Sequence, residues 1–219
     1  MPPRIETARA KATPRTRLPR ICLPRIWLLS DPLRLPDPVP LLERLPRGAA
    51  VLLRGAGTDV ALRVARHCRV LGLVLLVGGD GRLALRLGAG LHVPDRAETR
   101  HLLPFLLHRR VWLNRRGRPL SAAVHGRAGI ERAGRLGADV VLVSPAFPTA
   151  SHPGVAALGP LRWGALARAA RLPAVALGGM SERAWRRLPR GAALGWAGIG
   201  VWHDVALQTQ CLREVALGG

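Results

Sequence analysis

The 219-residue chain has no tyrosine, two phenylalanines, three cysteines and a single lysine, Lys11. Each shortage excludes something. Cys22, Cys68 and Cys211 are too few and too far apart for a disulfide framework or a CxxC metal site, which fits a reducing compartment. Apolar runs such as Leu71 to Val77 fall far short of the roughly 20 residues a membrane-spanning helix needs. The first 25 residues lack an apolar stretch of the kind a secretory signal carries. They hold Arg4, Arg9, Lys11, Arg15, Arg17, Arg20 and Arg25 against Glu6, with Pro and Thr between them. This composition resembles a transit peptide, and we read residues 1–22 as a disordered basic tail ahead of one domain over 23–219.

Acidic residues are scarce as well: 13 against 34 basic ones, a formal charge of +21. An arginine-rich surface suits phosphate, because guanidinium binds it bidentately and releases counterions from nucleic acid. Here the arginines are scattered over every predicted helix, with no zinc-finger spacing, RNP pattern or aromatic-interleaved basic run. The near-total replacement of lysine points to a genome-wide codon bias, and a nucleic-acid-binding protein is the remote alternative. With 48% hydrophobic residues the chain can bury a substantial core.

From Ile26 onward, short apolar runs alternate with segments of helical period, the signature of parallel strands joined by helical crossovers. Eight strands are predicted to begin near Ile26, Ala50, Leu73, Gly90, Leu120, Val140, Ala174 and Leu194, and eight is the number that closes a barrel. The runs Leu73 to Val77 and Val140 to Val143 are continuous, as in a sheet covered on both faces. Ala61, Val64, Ala65 and Cys68 form one helical stripe behind a Thr58–Asp59 cap. Trp163, Leu166, Ala167 and Ala170 form another, and Ile130, Ala133 and Gly134 a weaker one ending at Gly137. Ser181 is expected to cap a helix with Trp185 and Leu188, Pro104 to interrupt a fourth helix, and Asp204 to Val215 to form the last. An open doubly wound sheet is the competing architecture, but Leu28 to Pro32 carries no GxGxxG fingerprint.

In such a barrel the site lies where strands end. Gly178 and Gly179 follow the seventh predicted strand, and Gly198 and Gly200 close the eighth, where bare backbone N–H groups commonly bind a phosphate. The bland alternative is a set of tight turns in a glycine-rich chain. His125 ends the fifth strand, with an imidazole suited to proton transfer near neutrality or simply to a strand-end hydrogen bond. After the sixth strand come Ser144, Thr149, Ser151 and His152; after the second, Arg54. Asp31, Asp80 and Asp95 are the only carboxylates near strand ends, and Asp80 and Asp95 are weak candidates for Mg²⁺. Asp80 sits in a Gly-Gly-Asp-Gly turn that favours Asp for backbone reasons alone.

The run Gly137-Ala138-Asp139-Val140-Val141-Leu142-Val143-Ser144-Pro145-Ala146-Phe147-Pro148-Thr149-Ala150-Ser151 is similar to GADYVxxGPxFPTxT. Leu172 to Met180 is similar to IPVVAIGGI, Gly195 to Val201 to GADGVAV, and Leu87 to Val93 to LGADGVHL less one residue. Together these segments resemble the thiamine phosphate synthase / TenI family of (β/α)8 barrels. The resemblance implies one of two activities. The synthase joins an aminopyrimidine methyl pyrophosphate to a thiazole phosphate with Mg²⁺; TenI tautomerises a thiazole carboxylate phosphate without metal. Both bind the thiazole phosphate on the glycine turns kept here.

The departures fall on the other half of the site. The synthase's Gln-x-Arg-x-Lys reads Leu52-Leu53-Arg54-Gly55-Ala56, and its Asn-Asp reads Gly78-Gly79, with Asp80 one place late. His152 replaces a lysine, and Ala123 a serine two residues before His125. These changes remove most of what would neutralise a pyrophosphate and its metal. His125 itself matches an acid/base histidine of the TenI branch. The expectation is therefore a cytoplasmic (β/α)8 barrel that binds thiazole phosphate through Gly178, Gly179, Gly198 and Gly200. His125 transfers the proton, while Arg54, Ser144, Thr149, Ser151 and His152 contact substrate. No cofactor is expected, with Mg²⁺ needed only by a working synthase; no specific nucleic acid and no membrane partner are expected, and a homo-oligomer stays open. A synthase proper and a barrel that only binds ligand are the alternatives.

Overall fold

The computed structural model describes residues 23–95, 97–111, 118–149 and 156–203, with backbone alone for Arg110, Val111, Val201 and His203. Eight parallel strands run β1 (Ile26–Leu29), β2 (Ala50–Leu53), β3 (Val74–Gly78), β4 (Gly90–Val93), β5 (Leu120–Val124), β6 (Val140–Val143), β7 (Ala174–Leu177) and β8 (Gly195–Gly198). They close in sequence order into a barrel, with Leu28 of β1 in register with Gly198 of β8. Six strands start where the apolar runs predict, and β3 and β8 start one residue later. Between them lie α1 (Val39–Leu42), α2 (Thr58–Leu71), α3 (Gly81–Leu87), α4 (Leu102–Val111), α5 (Arg127–Leu136), α6 (Gly159–Ala169) and α7 (Glu182–Arg186). A 3-10 turn over Gly200–His203 follows β8.

Strand alternation divides the core in two. Outward residues such as Leu28, Val51, Leu53, Leu91, Leu120, Val141 and Val143 pack under the helices with Val64, Phe105 and Trp163. Trp27, Leu29, Leu52, Leu76, Val140, Leu142 and Val175 fill the barrel interior, as large apolar side chains do in this architecture. Trp27 is fully buried there and donates its indole N–H to the Pro24 carbonyl at 2.8 Å. The interior turns polar between β4 and β5, where His92 Nδ1 and Ser121 Oγ lie 2.9 Å apart.

Several local expectations are corrected. Gly57, not Thr58, is the N-cap of α2; Thr58 is already helical, and Asp59 complements the first-turn dipole instead of capping. The predicted stripe of Ala61, Val64, Ala65 and Cys68 is buried. Pro104 does not interrupt α4, because it falls in the first turn, where no intrahelical N–H is needed. The short α1, behind Pro38, carries no periodic signal to announce it. Gly137 ends α5 and Ser181 caps α7 by accepting from the Ala184 N–H, both as predicted. The basic tail, the last predicted helix and the site candidates Ser151 and His152 lie outside the described residues.

Burial of His92, with Arg54, Arg132 and His125 facing it, pushes its pKa down to about 3. Unfolding restores an ordinary imidazole that takes up a proton below about pH 6.5. His92 therefore contributes its full stability above that pH and loses it progressively as pH falls toward 3. The unfolding free energy of the wild type, measured by chemical denaturation, should fall with acid more steeply across this window than that of His92→Gln, by up to about 1.4 kcal/mol per pH unit. Parallel pH profiles for the two proteins would contradict a buried neutral His92.

Candidate active site

At the carboxyl ends of the strands, a cavity of about 390 Å³ is lined by Leu29, Asp31, Arg34, Arg54, Asp95, His125, Ser144, Thr149 and Gly178, among others. Seven positions singled out from sequence thus meet in one space: Asp31, Arg54, Asp95, His125, Ser144, Thr149 and Gly178. A smaller hollow of about 140 Å³ shares Arg34, Thr149 and Gly178 with it and adds Gly179, Gly198 and Gly200, so all four predicted phosphate-binding glycines stand together. Asp80 lines neither hollow. A larger cavity of about 680 Å³ opens around Arg25, Arg171, Pro173 and Trp196, where β1, β7 and β8 begin, away from every candidate site residue.

His125 is the centre of a hydrogen-bonded chain. Its Nδ1 lies 2.7 Å from Asp95 Oδ2, and its Nε2 lies 3.2 Å from Ser144 Oγ. An ionised carboxylate can only accept, so the proton sits on Nδ1 and the Nε2 lone pair faces Ser144. Asp95 is itself held: Arg132 reaches its other carboxylate oxygen at 2.8 Å and its backbone carbonyl at 2.7 Å. Arg132 also donates to the Ala123 carbonyl, which ties the chain to β5.

The second pair of charges crosses the cavity mouth. Asp31 follows β1 and accepts from the backbone N–H groups of Leu33 and Arg34. Both Arg34 and Arg54 reach its Oδ2 at 3.3 Å. Partial burial opposes its charge, but the hydrogen bonds from Arg34 and Leu33 outweigh that and hold its pKa below the ordinary carboxylate value. Burial also lowers the Arg54 guanidinium, offset by Asp31. Arg54 Nε donates to the Ser30 carbonyl at 2.8 Å, so the group is aimed by the end of β1.

The glycine turn after β7 is shaped by its neighbour. Gly178 and Gly179 adopt φ of 92° and 61°, and the loop after β6 lies against them. A Cβ on Gly179 would stand 2.3 Å from the Pro148 carbonyl oxygen, and one on Gly178 would stand 2.9 Å from Pro145 Cα. The Ala146 and Phe147 N–H groups bind the Leu177 and Gly178 carbonyls. Among the described residues no carbonyl accepts the N–H of Gly178 or Gly179. At Gly200, by contrast, a Cβ would meet open space.

Two contributors were missed from sequence. Arg34 lines both hollows, yet one arginine among so many carries no signal of direction. Arg132 was passed over because helix α5 was read for its apolar stripe alone. Of the metal candidates, Asp80 caps α3 by accepting from the Leu83 N–H at 3.0 Å and pairs with Arg100 at 2.8 Å. Asp95 is committed to His125 and Arg132.

A family model described as thiamine monophosphate synthase matches residues 54–202. The chain is 30% identical over 129 residues to a thiamine-phosphate synthase of Bacillus velezensis, covering 52% of each protein, so it spans about half the length of that curated relative. Among solved structures, a thiamine phosphate pyrophosphorylase from Pyrococcus furiosus superposes with a TM-score of 0.66 at 19% identity, covering 87% of this chain and 96% of that one. A 2-keto-3-deoxy-6-phosphogluconate aldolase of Zymomonas mobilis, solved with 3-phosphoglycerate, gives 0.56 at 17% identity, covering 88% and 90%. At these identities the two structures establish the shared fold.

The two kinds of glycine should respond differently to substitution. Gly179→Ala combines a left-handed backbone with a collision against backbone atoms and should cost at least about 2 kcal/mol. Gly200→Ala should stay within about 0.5 kcal/mol of wild type. Chemical denaturation of both variants measures the contrast, and equal stability would mean that the β6 loop is not packed on the turn.

Proposed function

The chain belongs to the thiamine monophosphate synthase family, and from that premise we propose that it binds a thiazole phosphate and acts as a tautomerase of the TenI kind. The observation that carries this reading is the Asp95–His125 pair, in which the carboxylate holds Nδ1 and Nε2 is turned to Ser144 on the cavity wall. Phosphate would sit at the glycine hollow, met by the N–H groups of Gly178 and Gly179 and by the Arg34 guanidinium. Arg54 faces the same cavity and suits a carboxylate on the thiazole ring.

In this scheme His125 Nε2 takes a proton from one ring position and returns it to another, leaving the thiazole aromatic. Asp95 steadies the transient imidazolium, and Arg132 keeps the carboxylate from turning away. Leu29, Leu177 and Ile199 supply an apolar wall that strengthens these charges. Every step is a proton transfer, so no electron carrier is required.

Mg²⁺, which a synthase of this family would use, does not fit the residues present. Asp80 and Asp95 are both spent on structural partners, and among the described residues no three His, Cys, Asp or Glu side chains converge. The cations that reach into the cavity, Arg34 and Arg54, share Asp31, which leaves little positive charge for a departing pyrophosphate. A synthase is the second reading, favoured by the identity to the Bacillus velezensis protein. No helix among the described residues is long and apolar enough to cross a membrane. The widely spaced cysteines, with Cys68 a buried free thiol, support a reducing, cytoplasmic setting.

Calorimetry with thiazole phosphate and with the aminopyrimidine pyrophosphate, with and without Mg²⁺, separates the readings. Binding of the first and weak binding of the second is the expected result. Tight Mg²⁺-dependent binding of the pyrophosphate, with thiamine phosphate formed from the mixed substrates, would favour the synthase. With a thiazole carboxylate phosphate as substrate, His125→Ala should lower kcat by roughly 10²–10⁴-fold with KM nearly unchanged, because the proposed phosphate contacts come from the turns after β7 and β8 and from Arg34, not from β5. A variant as fast as wild type would demote His125 to a strand-end structural residue.

A further inference from the structure

Proton transfer within a thiazole needs a base and its carboxylate, but it does not need a hydroxyl aimed at that base. Ser144 supplies one. Its Oγ lies 3.2 Å from His125 Nε2, on the side opposite Asp95, and Asp95 is fixed in turn by Arg132. Hydroxyl, imidazole and carboxylate therefore stand in line, contributed by the ends of β6 and β5 and by the loop after β4. The base is within hydrogen-bond reach of the hydroxyl and is oriented by a third group, the arrangement that activates a serine for attack. The segment resemblance places glycine, not serine, at this position, so the hydroxyl is a departure that packing alone does not require.

The surroundings suit an acyl group. Ser144, His125 and Asp95 line the 390 Å³ cavity together with Leu29, Leu177 and Ile199, which offer an apolar berth. Gly178 lies against Pro145, the residue next to Ser144, and its N–H meets no carbonyl among the described residues. Gly178 lines the same cavity as Ser144, and its N–H is the donor assigned here to the oxyanion. The geometry points to a second activity at this site: hydrolysis of small activated carboxylic esters through an acyl-Ser144 intermediate.

The chemistry balances with water as the only co-reactant. Ser144 Oγ bonds to the ester carbonyl carbon while its proton passes to His125 Nε2. The ester C–O bond then breaks, and the alkoxide leaves with that proton. A water molecule attacks the acyl carbon, gives a proton to Nε2, and the acid departs as the proton returns to Oγ. This step uses the serine hydroxyl, whereas the tautomerase reading uses the same imidazole and carboxylate without it, so Ser144 is where the two are told apart.

Two measurements on the 219-residue chain test it. Wild type should hydrolyse p-nitrophenyl acetate with a burst, and Ser144→Ala and His125→Ala should each lower the rate by roughly 100-fold or more. A fluorophosphonate probe should phosphonylate the wild type at Ser144 with loss of fluoride, located by peptide mass mapping; in the ester assay Lys11, as the sole lysine, leaves few side-chain amines to compete for the acetyl group. The mapping needs no variant, so a poorly folding substitution does not spoil the test. Absence of label on Ser144, label at another residue, or a folded Ser144→Ala that hydrolyses the ester like wild type would each overturn the proposal, while leaving thiazole phosphate binding untouched.

Discussion

Everything in this molecule depends on the pairing of its first strand with its last. Closure is what brings eight strand ends, scattered along the chain, into one ring, and it rests on a close approach at the base of β8. There the Trp196 N–H donates to the Arg25 carbonyl at 2.9 Å, and a Cβ on Gly195 would fall 1.8 Å from that same oxygen. No side chain fits between the two strands at that level. With the seam made, no strand edge is left exposed, and the interior can be packed on all sides by Trp27, Leu29, Leu142 and their neighbours.

The polar sector between β4 and β6 is the second consequence of that geometry. His92 and Ser121 bond inside the barrel, the ends of the same two strands carry Asp95 and His125, and the end of the next strand, β6, carries Ser144. The deep histidine is kept neutral by burial, whereas the strand-end histidine has a carboxylate to orient it and side-chain access to the cavity. Two histidines on adjacent strands thus take different roles for reasons of depth and partner. A chain carrying 34 basic residues nonetheless builds a site in which Arg34, Arg54 and Arg132 all have carboxylate partners.

Much of the fold was legible because parallel strands buried on both faces leave continuous apolar runs, and amphipathic helices leave stripes such as Ala61, Val64, Ala65 and Cys68. The exceptions have local causes. Gly57 caps α2 with its backbone alone, which a search for Thr or Asp overlooks, and Pro104 was misjudged because a first-turn proline and a helix breaker look alike until the helix start is known. Strand-end positions pointed to His125, Arg54, Ser144 and the glycine turns, since barrel topology says where to look. Nothing local singled out Arg34 or Arg132.

The sequence by itself determined the architecture, through the number and order of its apolar runs, and the membership of a family whose segments it resembles. Those are properties of neighbours along the chain. Only the tertiary structure decided what the polar residues do, because Asp95, His125, Arg132 and Ser144 become a single chain of hydrogen bonds only when three strands and a helix meet. It also decided why Gly179 is glycine: Pro148, from the loop after β6, occupies the space a side chain would need. Hydrogen bonds and steric exclusion act over a few ångströms, and here those ångströms separate residues about 30 positions apart in the chain.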